Sequence, residues 1–228
     1  MNIATTGSDP ERAVQVTAGA VTVEGNLGLP ERARGVVLFA HGSGSSRHSP
    51  RNRFVARVLR EAGLATLLID LLTADEEAVD QYTAQLRFDI GLLAQRLVGA
   101  TDWLLQNRET AGLPIGYFGA STGAAAALVA AAERPDAVAA IVSRGGRPDL
   151  AGPALSRVRA PTLLIVGGND IPVIGLNEEA LAQLTTEKRL VIVPGASHLF
   201  EEPGALEEVA RLAADWFGRY LNRPAASG

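Results

Sequence analysis

The sequence predicts a mostly parallel, doubly wound α/β sheet of about eight strands with helices on both faces. Three observations carry that expectation. Six short apolar runs recur along the chain, each of a length suited to a strand buried on both faces. Stretches with helical apolar spacing fall between them, the alternation that builds parallel sheets. An opening segment alternates instead and reads as an antiparallel hairpin. With 228 residues, 47% apolar and 20% charged, the chain suits one globular domain spanning 1–228, its core at about 13–222.

Taken in order, residues 13–29 (with VQVTAG and VTVEGNLGL) form the hairpin. GVVLFA (35–40) and LATLLID (64–70) are the next strands, separated by FVARVLREAG, whose Gly63 suits a helix C-terminal cap. Leu71 to Phe88 is long and charged and could drape over a site, its Asp75-Glu76-Glu77 reading as a solvated face or helix start. Ile90, Leu93, Leu97 and Leu104 then hold a helical spacing up to Leu105. IGYFGA (115–120), VAAIVS (138–143), PTLLIVGG (161–168) and RLVIVPG (189–195) supply four more strands. Only residues 144–161 separate the second and third of these, room for one short helix and no large lid. Leu206, Val209, Ala213, Trp216 and Tyr220 form one stripe of a closing amphipathic helix. Trp103, Trp216 and Phe217 read as core packing.

Composition narrows the function classes. Twenty-one basic against 25 acidic residues give a net charge of −4, and the basic residues, all Arg except Lys188, are scattered. Nucleic acid is a poor partner for such a surface. No apolar run is long enough to cross a membrane, so no membrane partner is expected. There is no cysteine, which removes disulfides, thiolate metal sites and thiol nucleophiles, and three histidines make a poor metal cage. The first residues lack a cationic start followed by an apolar run, so no signal peptide is expected and the cytoplasm is the default location. The first ten residues and the closing RPAASG read as frayed ends.

Chemistry concentrates at the expected carboxyl ends of the strands, where such sheets bind ligands. Gly119-Ala120-Ser121-Thr122-Gly123 matches G-x-S-x-G after the strand IGYF, with four alanines starting a helix behind it. Small neighbours let a strained turn lift the Ser121 hydroxyl above the sheet and aim a helix N-terminus at its ligand. Asp170 follows PTLLIVGG and could hold an imidazole by its Nδ1–H; Asp149, after the preceding strand, is the rival acid. His198 follows the last strand and is placed to act as the base that a serine nucleophile requires. His41 reads instead as a turn-stabilising hydrogen bonder and His48 as a surface residue. His41-Gly42-Ser43-Gly44-Ser45-Ser46 follows the third strand, where the N–H of Ser43 could join that of Thr122 in an oxyanion hole. The phosphate-loop pattern G-x-x-x-x-G-K-[ST] is absent there.

In HGSGSSRHSPRN, GASTG, GGND and GASH, in that order, the chain resembles the α/β-hydrolase superfamily over about residues 13–222. It is most similar to small dienelactone-hydrolase-like esterases. Dienelactone hydrolases proper use a cysteine nucleophile where this chain has Ser121, so lactone substrates are not implied. A serine there also argues against haloalkane dehalogenase and epoxide hydrolase relatives, which carry aspartate. The resemblance implies Ser121 as nucleophile, His198 as general base then acid, Asp170 as its orienter, and Ser43 and Thr122 as backbone donors. It implies a carboxylic ester as substrate, with no metal and no organic cofactor, and the short segment 144–161 suits a small or exposed one. Gly42, Arg144 and Arg147 are the candidate substrate-binding residues, the arginines for an anionic group. Two other readings stand beside the esterase: an acyltransferase or perhydrolase with the same nucleophile, and a non-catalytic binding protein of this fold.

Overall fold

A computed structural model describes residues 11–222; the frayed ends expected at 1–10 and 223–228 lie outside it. Eight strands form one sheet: β1 (Arg12–Ala18), β2 (Val21–Gly28), β3 (Val36–Ala40), β4 (Ala65–Ile69), β5 (Ile115–Ala120), β6 (Val138–Arg144), β7 (Thr162–Gly167) and β8 (Lys188–Val193). Their spatial order is β1-β2-β4-β3-β5-β6-β7-β8. The opening hairpin is antiparallel and joins β4 antiparallel, while β3 through β8 pair in parallel. From β3 the chain steps outward to β4 and then returns to β5 on the other side. That reversal opens a crevice between the carboxyl ends of β3 and β5, where doubly wound sheets take their ligands.

Among the described residues six α-helices cover the sheet: α1 (Pro50–Glu61), α2 (Ala74–Thr83), α3 (Ile90–Gln106), α4 (Thr122–Glu133), α5 (Ile171–Gln183) and α6 (Ala205–Tyr220). The central strands alternate between two cores because successive side chains point to opposite faces. Val36 and Leu38 of β3 pack with Leu97 of α3 and Leu128 of α4, whereas Val37 and Phe39 pack with Leu59 of α1 and Phe217 of α6. At about 25 cal/mol per Å² of apolar surface, burial on both faces is the main force holding this frame.

Three local findings refine the sequence expectation. β8 is an edge strand whose residues are mostly exposed or half-buried, although its run is continuously apolar. Nothing among the described residues pairs with its outer edge, so Ile192 stays partly in solvent. Residues Pro148–Arg157 form 3₁₀ turns broken at Gly152, so the segment where a large lid would sit is short. The charged stretch 71–88 folds as α2 and a 3₁₀ turn at Leu86–Phe88, and its acidic run is a helix start. Thr73 accepts from the Glu76 N–H while Glu76 accepts from the Thr73 N–H, a reciprocal cap. No helix among the described residues is long and apolar enough to cross a membrane.

Candidate active site

The strand-to-helix turn after β5 sets the centre. Ser121 has φ 51° and ψ −122°, a left-handed conformation that a residue with a Cβ adopts only under constraint. The flanking glycines explain how the turn packs. A Cβ at Gly119 would lie 2.4 Å from Ala124 Cα, and one at Gly123 would lie 2.3 Å from the Ala40 carbonyl oxygen. Helix α4 can therefore start directly against β3 and β5. Gly42 is tight for a related reason: a Cβ there would sit 3.0 Å from that of Ser121. The strain is local and is held by buried backbone on both sides.

Acid and base come together from two loops tied to each other. The Asn169 amide N–H donates to the Ala196 carbonyl at 2.9 Å, and its side-chain nitrogen donates to the Gly195 carbonyl at 2.8 Å. Glu202 accepts from the Ser197 N–H at 3.0 Å, and that backbone bond holds its carboxyl below the ordinary glutamate value. The loop after β8 is thereby fixed against the loop after β7. Asp170 Oδ2 lies 2.6 Å from His198 Nδ1, with Asp170 largely buried and the imidazole 39% exposed. Such a bond sets the tautomer with Nδ1–H toward the carboxylate and leaves Nε2 to act as base. The rival acid is occupied elsewhere, since Asp149 accepts two hydrogen bonds from Arg147 at 2.9 and 2.8 Å.

Ser121 and His198 line one cavity of about 230 Å³, together with Gly42, Ser43, Arg51 and Arg144. That volume is small for a ligand site, which limits what can enter. No hydrogen bond joins the Ser121 hydroxyl to the imidazole in this conformation; ligand-free sites often leave this bond to be closed by substrate.

Other expectations meet a more detailed picture. Thr122 opens α4, where backbone N–H groups have no helical partner. The Ser43 N–H, expected to point at the reacting oxygen, donates at 3.0 Å to the Thr122 hydroxyl instead. It can serve an oxyanion only by sharing or exchanging that acceptor. Arg147 does not reach the cavity at all: the short 3₁₀ segment after β6 turns it onto Asp149, whose bidentate contact holds its guanidinium above the ordinary value. Arg144 does reach it and is buried. His41 is a structural residue, as the sequence suggests. Its Nδ1 bonds the Gly42 carbonyl at 2.9 Å and its Nε2 accepts from the Leu71 N–H at 3.1 Å.

Arg51 and Asn52 are site-lining residues that sequence reasoning missed. Their signal was Ser49-Pro50: Ser49 caps α1, and proline at the first helical position puts Arg51 and Asn52 in the first turn. Among the described residues no cluster of His, Asp and Glu could hold a metal ion.

Residues 23–222 match the dienelactone hydrolase family. The chain belongs to that family. Its similarity to the crystal structure of a dienelactone hydrolase from Anabaena variabilis is high, with 69% identity, a TM-score of 0.92, and coverage of 93% of this chain and 99% of the other. A protein of Mycobacterium tuberculosis, provisionally named a phosphoribosyl transferase, is 60% identical over 218 residues. Those residues are 96% of this chain and 48% of the relative, so the chain spans about half that protein's length and the name belongs to the longer molecule. Est1E from Butyrivibrio proteoclasticus shares the fold at 16% identity and a TM-score of 0.76, covering 91% of this chain and 98% of its own. Within the dienelactone hydrolase family fold, this chain sets a serine at the turn after β5 and an Asp–His pair beside it.

Proposed function

We propose that this chain is a serine hydrolase that cleaves small carboxylic esters through an acyl-enzyme on Ser121. One observation carries the reading: a serine on a constrained strand-to-helix turn opens into the same small cavity as an imidazole oriented by a carboxylate.

Ser121 Oγ attacks the ester carbonyl carbon while His198 Nε2 takes the hydroxyl proton. Charge develops on the carbonyl oxygen, and the N–H of Thr122, with that of Ser43 once released from the Thr122 hydroxyl, stabilises it. The C–O bond to the alcohol breaks and His198 returns the proton to the leaving oxygen. Water then enters, gives a proton to His198 and attacks the acyl carbon; collapse releases the acid and restores Ser121. Asp170 stays ionised throughout and stabilises the imidazolium. Water is the proposed acceptor because no large lid follows β6 and the imidazole is open to solvent.

Turnover of short-chain 4-nitrophenyl esters tests the reading. Loss of hydrolysis in Ser121→Ala and His198→Ala, both folded, is expected. Hydrolysis that survives in Ser121→Ala would refute the assignment, and product partitioning to added alcohols or peroxide would move it to acyl transfer.

A further inference from the structure

The two donors assigned to the developing oxyanion are not equally free. The Thr122 N–H, at the first position of α4, has no acceptor among the described residues. The Ser43 N–H has one, the Thr122 hydroxyl oxygen at 3.0 Å. Ser43 lines the cavity, whereas Thr122 is 4% exposed, so the bond engages the second donor with the protein rather than with the cavity.

Ser43 cannot leave that contact by moving its own loop. His41 Nδ1–H donates to the Gly42 carbonyl at 2.9 Å while its Nε2 accepts from the Leu71 N–H at 3.1 Å. The Ser45 N–H closes a turn onto the same Gly42 carbonyl at 3.2 Å, and the Arg47 N–H donates to Asp70 Oδ1 at 2.8 Å. Gly42 is itself pressed against the serine turn, since a Cβ added there would lie 3.3 Å from the Ala120 carbonyl oxygen. The backbone is therefore anchored on both sides of Ser43. What can move is the other partner. A threonine has alternative χ1 wells, and a step of about 120° between them swaps its hydroxyl for a methyl group or a hydrogen. Thr122 Oγ1 makes no second hydrogen bond among the described residues, so nothing else holds it in place.

A neutral hydroxyl and a neutral ester carbonyl are acceptors of similar strength, so the Ser43 N–H gains little by changing partner when an ester first binds. Hydrogen bonds to an ionised acceptor are about twice as strong, and exchange becomes favourable as charge develops on the carbonyl oxygen. The cost of releasing the hydroxyl thus falls between the bound substrate and the transition state.

We infer that the Thr122 side chain is a latch on the oxyanion hole, a positioning residue that occupies the Ser43 N–H in the resting enzyme and slows the chemical step by competing with the oxyanion for it. The inference rests on the hydrolase reading and deepens it. The sign of the effect separates a latch from a structural bond: without the hydroxyl the enzyme is less stable and faster.

The test compares Thr122→Val, which keeps the shape and the backbone N–H but deletes the acceptor, with Thr122→Ser, which returns a hydroxyl. Phenyl acetate is the substrate, and phenylboronic acid, which forms an anionic tetrahedral adduct on an activated serine, is the transition-state probe. Thr122→Val should raise kcat by about 3- to 10-fold, the range of one net neutral hydrogen bond, and tighten boronate inhibition by a similar factor. KM should stay within about twofold, because the competing bond is given up only as charge develops. Acylation and deacylation both pass through an oxyanion, so the gain holds whichever step limits turnover. The urea midpoint of Thr122→Val should fall and the Ser43 amide should exchange faster with deuterium, since the half-buried N–H has lost its partner. Thr122→Ser should bring all four readouts back toward wild type.

A fall in kcat in Thr122→Val would overturn the latch; its restoration in Thr122→Ser would make the hydroxyl a relay that donates its own proton to the oxyanion. An unchanged kcat with faster amide exchange would overturn it too, by showing that the Ser43 N–H does not serve the reaction. A wild type that turns over no ester and forms no boronate adduct would remove the hydrolase reading and the latch with it. A wild type active on phenyl acetate confines any failure to the latch. Thr122→Ala deletes the same acceptor and carries the comparison should Thr122→Val fail to fold.

Discussion

Two sets of residues at the cavity are held on opposite principles. In one, the polar groups that orient His198 are satisfied: its Nδ1 has Asp170, and the loop that carries it is held by Asn169 and Glu202. In the other, Arg144 and Arg51 each hold a buried Nε with no partner among the described residues. Satisfied networks fix geometry, which proton transfer needs. Arg144 and Arg147 show the contrast within four residues, since the one bound to Asp149 lies off the site and the other lines it.

The largest expected effect breaks the catalytic set. Ser121→Ala and Asp170→Asn should each lower kcat for esters by about 10⁴-fold or more, the second by leaving His198 in the wrong tautomer. Steady-state assays with circular dichroism as the folding control check this; a Asp170→Asn enzyme within tenfold of wild type would remove Asp170 from its role. Gly123→Ala should cost more than about 3 kcal/mol in urea denaturation, because the new Cβ meets backbone oxygen at 2.3 Å and neither side can move away. A cost below 1 kcal/mol, on the order expected for an exposed site, would mean that α4 is not seated as described.

Arg147→Gln should leave ester turnover unchanged, because its side chain is held on Asp149 and does not line the cavity. Arg147→Gln should also cost no more than about 1 kcal/mol of stability, since its pair with Asp149 is partly solvated. Turnover that falls tenfold in Arg147→Gln would place that side chain at the site.

A pH experiment sharpens the structural side. Burial holds His41 below the ordinary imidazole value of 6.5, against the pull of the Gly42 carbonyl and of Asp70 and Glu77. Below that pH the unfolded chain takes up a proton that the folded chain refuses. Stability should therefore fall on acidification from 6.5 until folded His41 itself titrates, with a slope of up to about 1.4 kcal/mol per pH unit from this group. Urea midpoints between pH 7 and 5 should show a shallower slope in His41→Gln. An unchanged slope would mean that His41 is not held neutral by the fold.

Much of this was legible in the sequence because it rests on short-range patterns. All eight strands follow from apolar runs or alternation, and the turn at Ser121 follows from small residues at fixed spacing. α5 was less visible: its residues carry little amphipathic contrast, and the helix lies largely exposed on one side with Val173, Asn177 and Ala180 as its buried positions. The edge position of β8 was hidden too, since an apolar run does not reveal which strand has only one neighbour. The placement of the two arginines depended on long-range geometry. Arg51 and Arg144 are far apart in the chain and line one cavity only because α1 begins and β6 ends at the same rim of the sheet. The Thr122 hydroxyl on the Ser43 N–H was equally out of reach, being a rotamer choice across two loops.

The central claim is that Ser121 is an activated nucleophile. Its most direct test is a fluorophosphonate reaction on wild type and Ser121→Ala, read by intact mass and by peptide mapping. A single adduct on the peptide holding Ser121, absent from the variant and slowed in His198→Ala, is the predicted result. A folded wild-type protein that takes up no label, or labels a different serine, would contradict it.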